Sequence, residues 1–141
     1  MKIHLNKVDD DFCFEAINED GKSLRLDAGT SIGGKASAFS PMQAVLAAIG
    51  GCSAIDILNI LRKQKQEITR FEMVVDGNRV PGQVPSPFTG IHIVYNVFGK
   101  IDREKAQKAA DLSIEKYCSV SKMLEKSAEI TYKINVNPNE T

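Results

Sequence analysis

The sequence contains no CxxC pair and only two histidines, His4 and His92. A zinc site would therefore need several distant residues to converge, and no metal and no other cofactor is expected. Three cysteines, Cys13, Cys52 and Cys118, are too few for a disulfide scaffold. There is no excess of either charge: 18 basic residues face 18 acidic ones, so no long-range field recruits nucleic acid or an anionic membrane. Aromatics make up 6% of the chain and are scattered, which leaves no stacking stripe for a nucleic-acid strand. The opening MKIHLNKVDDDF lacks the apolar run of a signal peptide. The apolar run Ala44 to Ile55 is cut by Asp56 before it is long enough to span a bilayer. These absences together predict a cytoplasmic protein without a membrane or nucleic-acid partner. Repeats and low-complexity segments are also missing, and 141 residues suit one domain, 1–141.

What the chain does have is one dominant stretch, Ser40 to Lys65, SPMQAVLAAIGGCSAIDILNILRKQK. Ser40 reads as an N-cap, Pro41 as the first helical residue, and Gln43 stands where a capping box wants Glu or Gln. From Val45 to Leu61 apolar residues lie on every face, the pattern of a core helix. A 141-residue chain supplies little cover for such a helix, which predicts a second subunit related by two-fold symmetry. Gly50 and Gly51 inside a helix cost about 1 kcal/mol each against alanine, so another backbone or a ligand is expected close by. Cys52 follows them, and Asp56 and Asn59 continue from it at helical spacing.

Around this helix the pattern alternates between strand and turn. Residues 2–8 and 11–18 read as strands, and Asn18-Glu19-Asp20-Gly21 as the turn into a third strand over 22–27. The glycine-containing stretch 28–40 reads as a connection, with a flexible lid as the alternative. Strands are predicted over 70–76, 91–98 and 128–136, with 77–90 as a loop or an interrupted ribbon because of its glycines and prolines. Asp102 is the N-cap of a helix over 102–117 whose inner stripe is Ala106, Ala109, Ser113 and Tyr117. A short helical turn begins at Ser119, and 137–141 reads as a frayed tail. The order βββ-α-ββ-α-β predicts an α+β fold with its helices on one side of a mainly antiparallel sheet.

Thiol redox chemistry needs one reachable thiolate and a second thiol nearby. Cys52 and Cys118 are the candidates, whereas Cys13, between two phenylalanines in a strand, reads as structural. Spacing alone leaves both readings open, because a cysteine in an apolar helix is ordinarily an inert small hydrophobe. If Cys118 caps the short helix, the helix's amides favour its thiolate. A carboxylate at Asp56 acts the other way.

SPMQAVLAAIGGCSAIDILNILRK, followed by SIEKYCSVSKMLEKSAEITYKINV, resembles the OsmC/Ohr family of osmotically induced and organic hydroperoxide resistance proteins. The resemblance extends over about residues 11 to 136. It implies an OsmC-like intertwined homodimer, with the sheet packed on two central helices and the active sites at the subunit interface. It also implies a thiol-dependent peroxidase for organic hydroperoxides that uses neither metal nor flavin. On this pattern Cys52 is peroxidatic, Cys118 resolves its sulfenic acid to a disulfide, and a small dithiol restores both thiols. Gln43 and Gly51 are the matching candidates for substrate contact. The family's activating Glu and Arg are not matched: Met42 and Gln43 follow the proline, and Phe12, Cys13 and Phe14 occupy the first hairpin, with Arg25 on the next strand. A non-enzymatic protein binding a small apolar or thiol ligand in the dimer cleft is the competing expectation.

Overall fold

The computed structural model describes residues 1–139. The chain forms two compact units, Met1–Val45 and Leu46 onward. The first is an antiparallel meander of β1 (Ile3–Lys7), β2 (Phe14–Asn18) and β3 (Ser23–Leu26). Its second turn forms as expected. The Asn18 side-chain oxygen accepts from the Asp20 and Lys22 amides, and Gly21 takes φ +78°, a conformation open to glycine at little cost. β2 starts at Phe14 rather than residue 11. Asp9 Oδ1 accepts from the Asp11 and Cys13 amides instead and holds that stretch in a turn. Cys13 is buried there, in keeping with a structural role. The connection over 28–40 is tied down by Asp27, whose carboxylate accepts from the Ser37 amide and hydroxyl and from the Ala28 amide. These bonds, those from Ser37 foremost, lower the pKa of Asp27.

The central helix, α1 (Pro41–Lys63), starts as its sequence requires. The Ser40 amide donates to Gln43 Oε1 at 2.9 Å and the Gln43 amide donates to Ser40 Oγ at 3.2 Å, a complete capping box. By length and composition alone α1 could cross a bilayer, contrary to the expectation that Asp56 cuts the run too short. Its packing is that of a core helix on one face: Ile49, Ser53, Ile57 and Leu61, four residues apart, are fully buried. On the opposite face Ile55 is 69% exposed.

In the second unit β4 (Glu67–Arg79), β5 (Phe88–Lys100) and β6 (Glu129–Val136) form a sheet in that order. β4 and β5 are antiparallel, and β5 and β6 are parallel. Of the two readings of 77–90, the interrupted ribbon forms rather than a loop throughout. Gly77 to Arg79 pair with Ile91 to Phe88, and Gly77 is required because the Phe88 ring and Leu46 fill the space of a side chain. Buried Ile91, Ile93, Tyr95 and Val97 alternate along β5 toward the helices. The outer face carries Arg70 over the Phe98 ring and the His92–Thr131 hydrogen bond.

The crossover from β5 to β6 begins at Asp102, whose carboxylate accepts from the Lys105 amide at 3.0 Å, as an N-cap should. α2 (Arg103–Leu112) does not continue to Tyr117. Ser113–Tyr117 is a wider π turn, closed by the Cys118 amide donating to the Ser113 carbonyl at 2.7 Å. The extra residue per turn rotates the inner stripe, so Ile114 is buried and Tyr117 is 51% exposed. α3 (Ser119–Leu124) then leads into β6. The expected fray at 137 is also corrected. The Asn137 amide donates to the Val97 carbonyl, and its side chain exchanges two hydrogen bonds of 2.9 Å with the Gly99 backbone. Glu140 and Thr141 lie outside the described residues. The fold is α+β, with both α1 and α2 against one face of the second sheet: Tyr95 reaches Ser53 on α1, and Tyr132 reaches Asp111 on α2.

Candidate functional site

Three donor atoms from two distant segments meet on the second unit. The sulfurs of Cys52 and Cys118 and a carboxylate oxygen of Asp56 all lie within 4.8 Å of one another. α1 contributes two of them, because residues four apart share a helix face. The π turn contributes the third by delivering Cys118 as the N-cap of α3, where its sulfur accepts from the Ser121 amide at 3.3 Å. Cys118 is fully buried, while Cys52 and Asp56 are half-buried.

The surroundings hold these groups from beneath. Ser53 donates to the Ile49 carbonyl at 2.8 Å and accepts from Tyr95 Oη at 2.6 Å. Burial pushes the Tyr95 hydroxyl up to about 12, so it stays a donor at physiological pH. Ser113 Oγ lies 3.0 Å from the Ser53 carbonyl and 3.3 Å from Asp56 Oδ2, and shares its proton between them. Sequence reasoning reached Cys52, Cys118 and the spacing of Asp56, but it missed Ser53 and Tyr95 as supports. The one available signal was a serine inside an otherwise apolar helical stripe, which must find a partner when buried.

The glycine and glutamine candidates separate. Gly50 lets β4 side chains pack tightly on α1: an added Cβ would lie 2.9 Å from Val75 and 3.4 Å from the Met73 sulfur. Gly51 faces open space beside Cys52, with nothing within 4 Å. Gly50→Ala should therefore cost about 1–3 kcal/mol through overpacking. Gly51→Ala should be neutral or gain up to about 1 kcal/mol from helix propensity, and urea unfolding of the two variants separates these outcomes. Gln43 has its amide oxygen engaged in the capping box, and Arg25 lies 3.9 Å from Glu15 on the neighbouring strand. Both belong to the first unit.

The Cys118 thiol is pushed from its ordinary 9.0 up to about 11. Burial is the main cause, the Cys52 sulfur and the Asp56 charge add to it, and the Ser121 amide opposes it. A raised folded-state value means that the stability contribution is complete below the ordinary thiol range. It is lost as pH rises from about 9 through about 11. The unfolding free energy of the parent chain should fall more steeply across that window than that of Cys118→Ala, as urea titrations at successive pH values would show.

Residues 34–133 match the family model for OsmC-like proteins, and this span takes in α1 with its cap, Cys52, Asp56 and Cys118. The chain belongs to the OsmC-like family. It is 44% identical over 98 residues to Protein YhfA of Escherichia coli strain K12, covering 69% of this chain and 72% of that protein. A hypothetical protein from Aquifex aeolicus VF5 is 26% identical with a TM-score of 0.80, over 97% of both chains. The organic hydroperoxide resistance protein OhrB of Bacillus subtilis shares the fold at a TM-score of 0.65 and 19% identity, covering 95% of this chain and 96% of that one. The OsmC-like fold is thus shared with peroxide-resistance proteins.

Proposed function

We propose that this OsmC-like chain is a thiol-dependent peroxidase that reduces organic hydroperoxides. The observation that carries the reading is the approach of two sulfurs, sixty-six positions apart in sequence, to within 4.8 Å beside an open stretch of helix at Gly51. The Cys52 thiolate attacks the terminal peroxide oxygen, the O–O bond breaks, and the alkoxide leaves as an alcohol after taking a proton. Cys52 is then a sulfenic acid. Cys118, once ionised, attacks the Cys52 sulfur, a disulfide forms and water leaves. Sulfur–sulfur closure to about 2.05 Å asks for an approach of under about 3 Å, within the reach of side-chain rotation. A small dithiol then exchanges with the disulfide and returns both thiols.

Site access and partners follow from the same reading. The uncovered face of α1 at Ile55, together with exposed Phe12, Phe14, Ile32 and Phe39 of the first unit, supports a homodimer in which a second copy completes each site. We assign the protein to the cytoplasm as a single OsmC-like domain over 1–141, without nucleic-acid or membrane partners. Titration of the reduced full chain with cumene hydroperoxide tests the reaction. Two thiols per chain should disappear, peptide mapping should find a Cys52–Cys118 disulfide, and dihydrolipoamide should restore both. Persistence of the thiols, or a disulfide solely between chains, refutes it.

A second reading has its own observation. The first unit holds an apolar cavity of about 510 Å³ lined by Leu5, Phe12, Phe14, Leu26 and Ile32 among others, suited to a small apolar ligand. Native mass spectrometry showing a co-purified apolar molecule, with Cys52 inert to hydroperoxide, would favour ligand binding over catalysis.

A further inference from the structure

We propose that Cys52, Asp56 and Cys118 form a binding site for a thiophilic divalent cation of the zinc class. Among the described residues, theirs is the one group of three or more His, Cys, Asp or Glu side chains whose donor atoms converge this closely. The expectation of no metal rested on scarce histidine and the missing CxxC, but the fold gathers a donor set without either.

Geometry and charge both suit the cation. With zinc–sulfur bonds of about 2.3 Å and a zinc–oxygen bond of about 2.0–2.2 Å, donors in a tetrahedral site stand roughly 3.3–3.8 Å apart. The observed spacing of at most 4.8 Å needs a contraction of about 1 Å or so. Two sulfurs and one oxygen favour a borderline-soft divalent ion: thiolates select against magnesium and calcium, and a carboxylate is a poor partner for monovalent copper. Fully ionised, the trio would carry three negative charges in a half-buried pocket, an arrangement that a cation relieves directly.

The ligands are also oriented from outside. Ser113 Oγ at 3.3 Å from Asp56 Oδ2 and the Ser121 amide at 3.3 Å from the Cys118 sulfur occupy the places that outer partners of metal ligands take. Asp56 also forms part of the wall of a cleft of about 550 Å³, along with Asn59, Lys63 and Tyr117, which leaves room beside its carboxylate for a water as fourth ligand. On binding, each thiol gives its proton to solvent as its metal–sulfur bond forms, so no oxidant or reductant is involved. The same sulfur electrons serve either the metal or a disulfide. Binding of the cation and oxidation of the pair therefore exclude one another.

The experiment uses the reduced full-length protein, equilibrated with zinc chloride and, separately, cobalt chloride under anaerobic conditions. One zinc per chain should remain after dialysis, and the cobalt form should show thiolate-to-cobalt charge-transfer absorption. Cys118→Ser and Asp56→Asn should each lower affinity by at least the roughly 10–100-fold that loss of an outer partner costs, while Cys13→Ser leaves it unchanged. Zinc well below one per chain, a cobalt spectrum without thiolate bands, or equal affinity in Cys118→Ser overturns the assignment. Because the cobalt spectrum is read on the unmutated protein, a variant that fails to fold does not obscure the result. None of these readouts depends on peroxide turnover, so the site and the peroxidase reading stand or fall separately.

Discussion

Cys52→Ser should reduce hydroperoxide consumption to the rate of protein-free solution, a loss of about a thousandfold or more, as for other single nucleophile deletions. The size follows from the division of labour in the site. Cys118 is fully buried and its thiol is held protonated well above physiological pH, so it cannot take over the attack on peroxide. Cys118→Ser should behave differently. It should consume one equivalent of peroxide in a single burst and then stop, leaving a Cys52 sulfenic acid that dimedone traps. If Cys52→Ser keeps the parent rate, the peroxidatic assignment is wrong; if Cys118→Ser turns over normally with dithiol, the resolving role is wrong. Measuring peroxide loss and dimedone labelling together distinguishes the two.

Gly99→Ala should cost roughly 3 kcal/mol or more of stability, the largest effect expected of a single methyl group in this chain. Gly99 takes φ +135° opposite the irregularity in β4 between Ile68 and Arg70, where the Glu67 carbonyl and the Thr69 amide occupy the space of a Cβ. Backbone cannot yield as a side-chain tip does, so strain in φ and a steric clash add together. Gly82 provides the comparison. It also has positive φ, +75°, but nothing lies within 4 Å of an added Cβ, so Gly82→Ala should cost about 1 kcal/mol. Equal losses for the two variants in urea unfolding would mean that the contact at Gly99 carries no weight. The Gly99 backbone also bonds Asn137 just beyond β6, so a forced shift of that backbone should loosen the end of the β5–β6 pairing.

The parts of the fold that were legible in the sequence are those set by local chemistry. Ser40 with Gln43, Asp102 with Lys105, and Asn18 with Gly21 each satisfy backbone groups within a few residues, and each formed as read. The direction of β6 was not legible, because alternation in Ile130, Tyr132, Ile134 and Val136 is identical for parallel and antiparallel neighbours. How far β4 runs into 77–90 was left open for a similar reason. A glycine there looks like a turn until the Phe88 ring that needs its space is located. For the site, helical spacing brought Cys52 and Asp56 to one face, but only tertiary packing could bring Cys118 to them. The role of Asp56 was unreadable without the second sulfur, since a carboxylate beside one thiol merely opposes its ionisation.

The π turn at Ser113–Tyr117 has a consequence for how such a protein could change in evolution. It holds one residue more than an α-helical turn would, and that surplus sets the angle at which Cys118 emerges. A substitution that restored ordinary α winding over the same residues would swing the sulfur by about 100°, away from its counterpart on the long helix. A descendant could thus keep every chemical group and its shape, yet lose the pairing of its thiols in one mutational step.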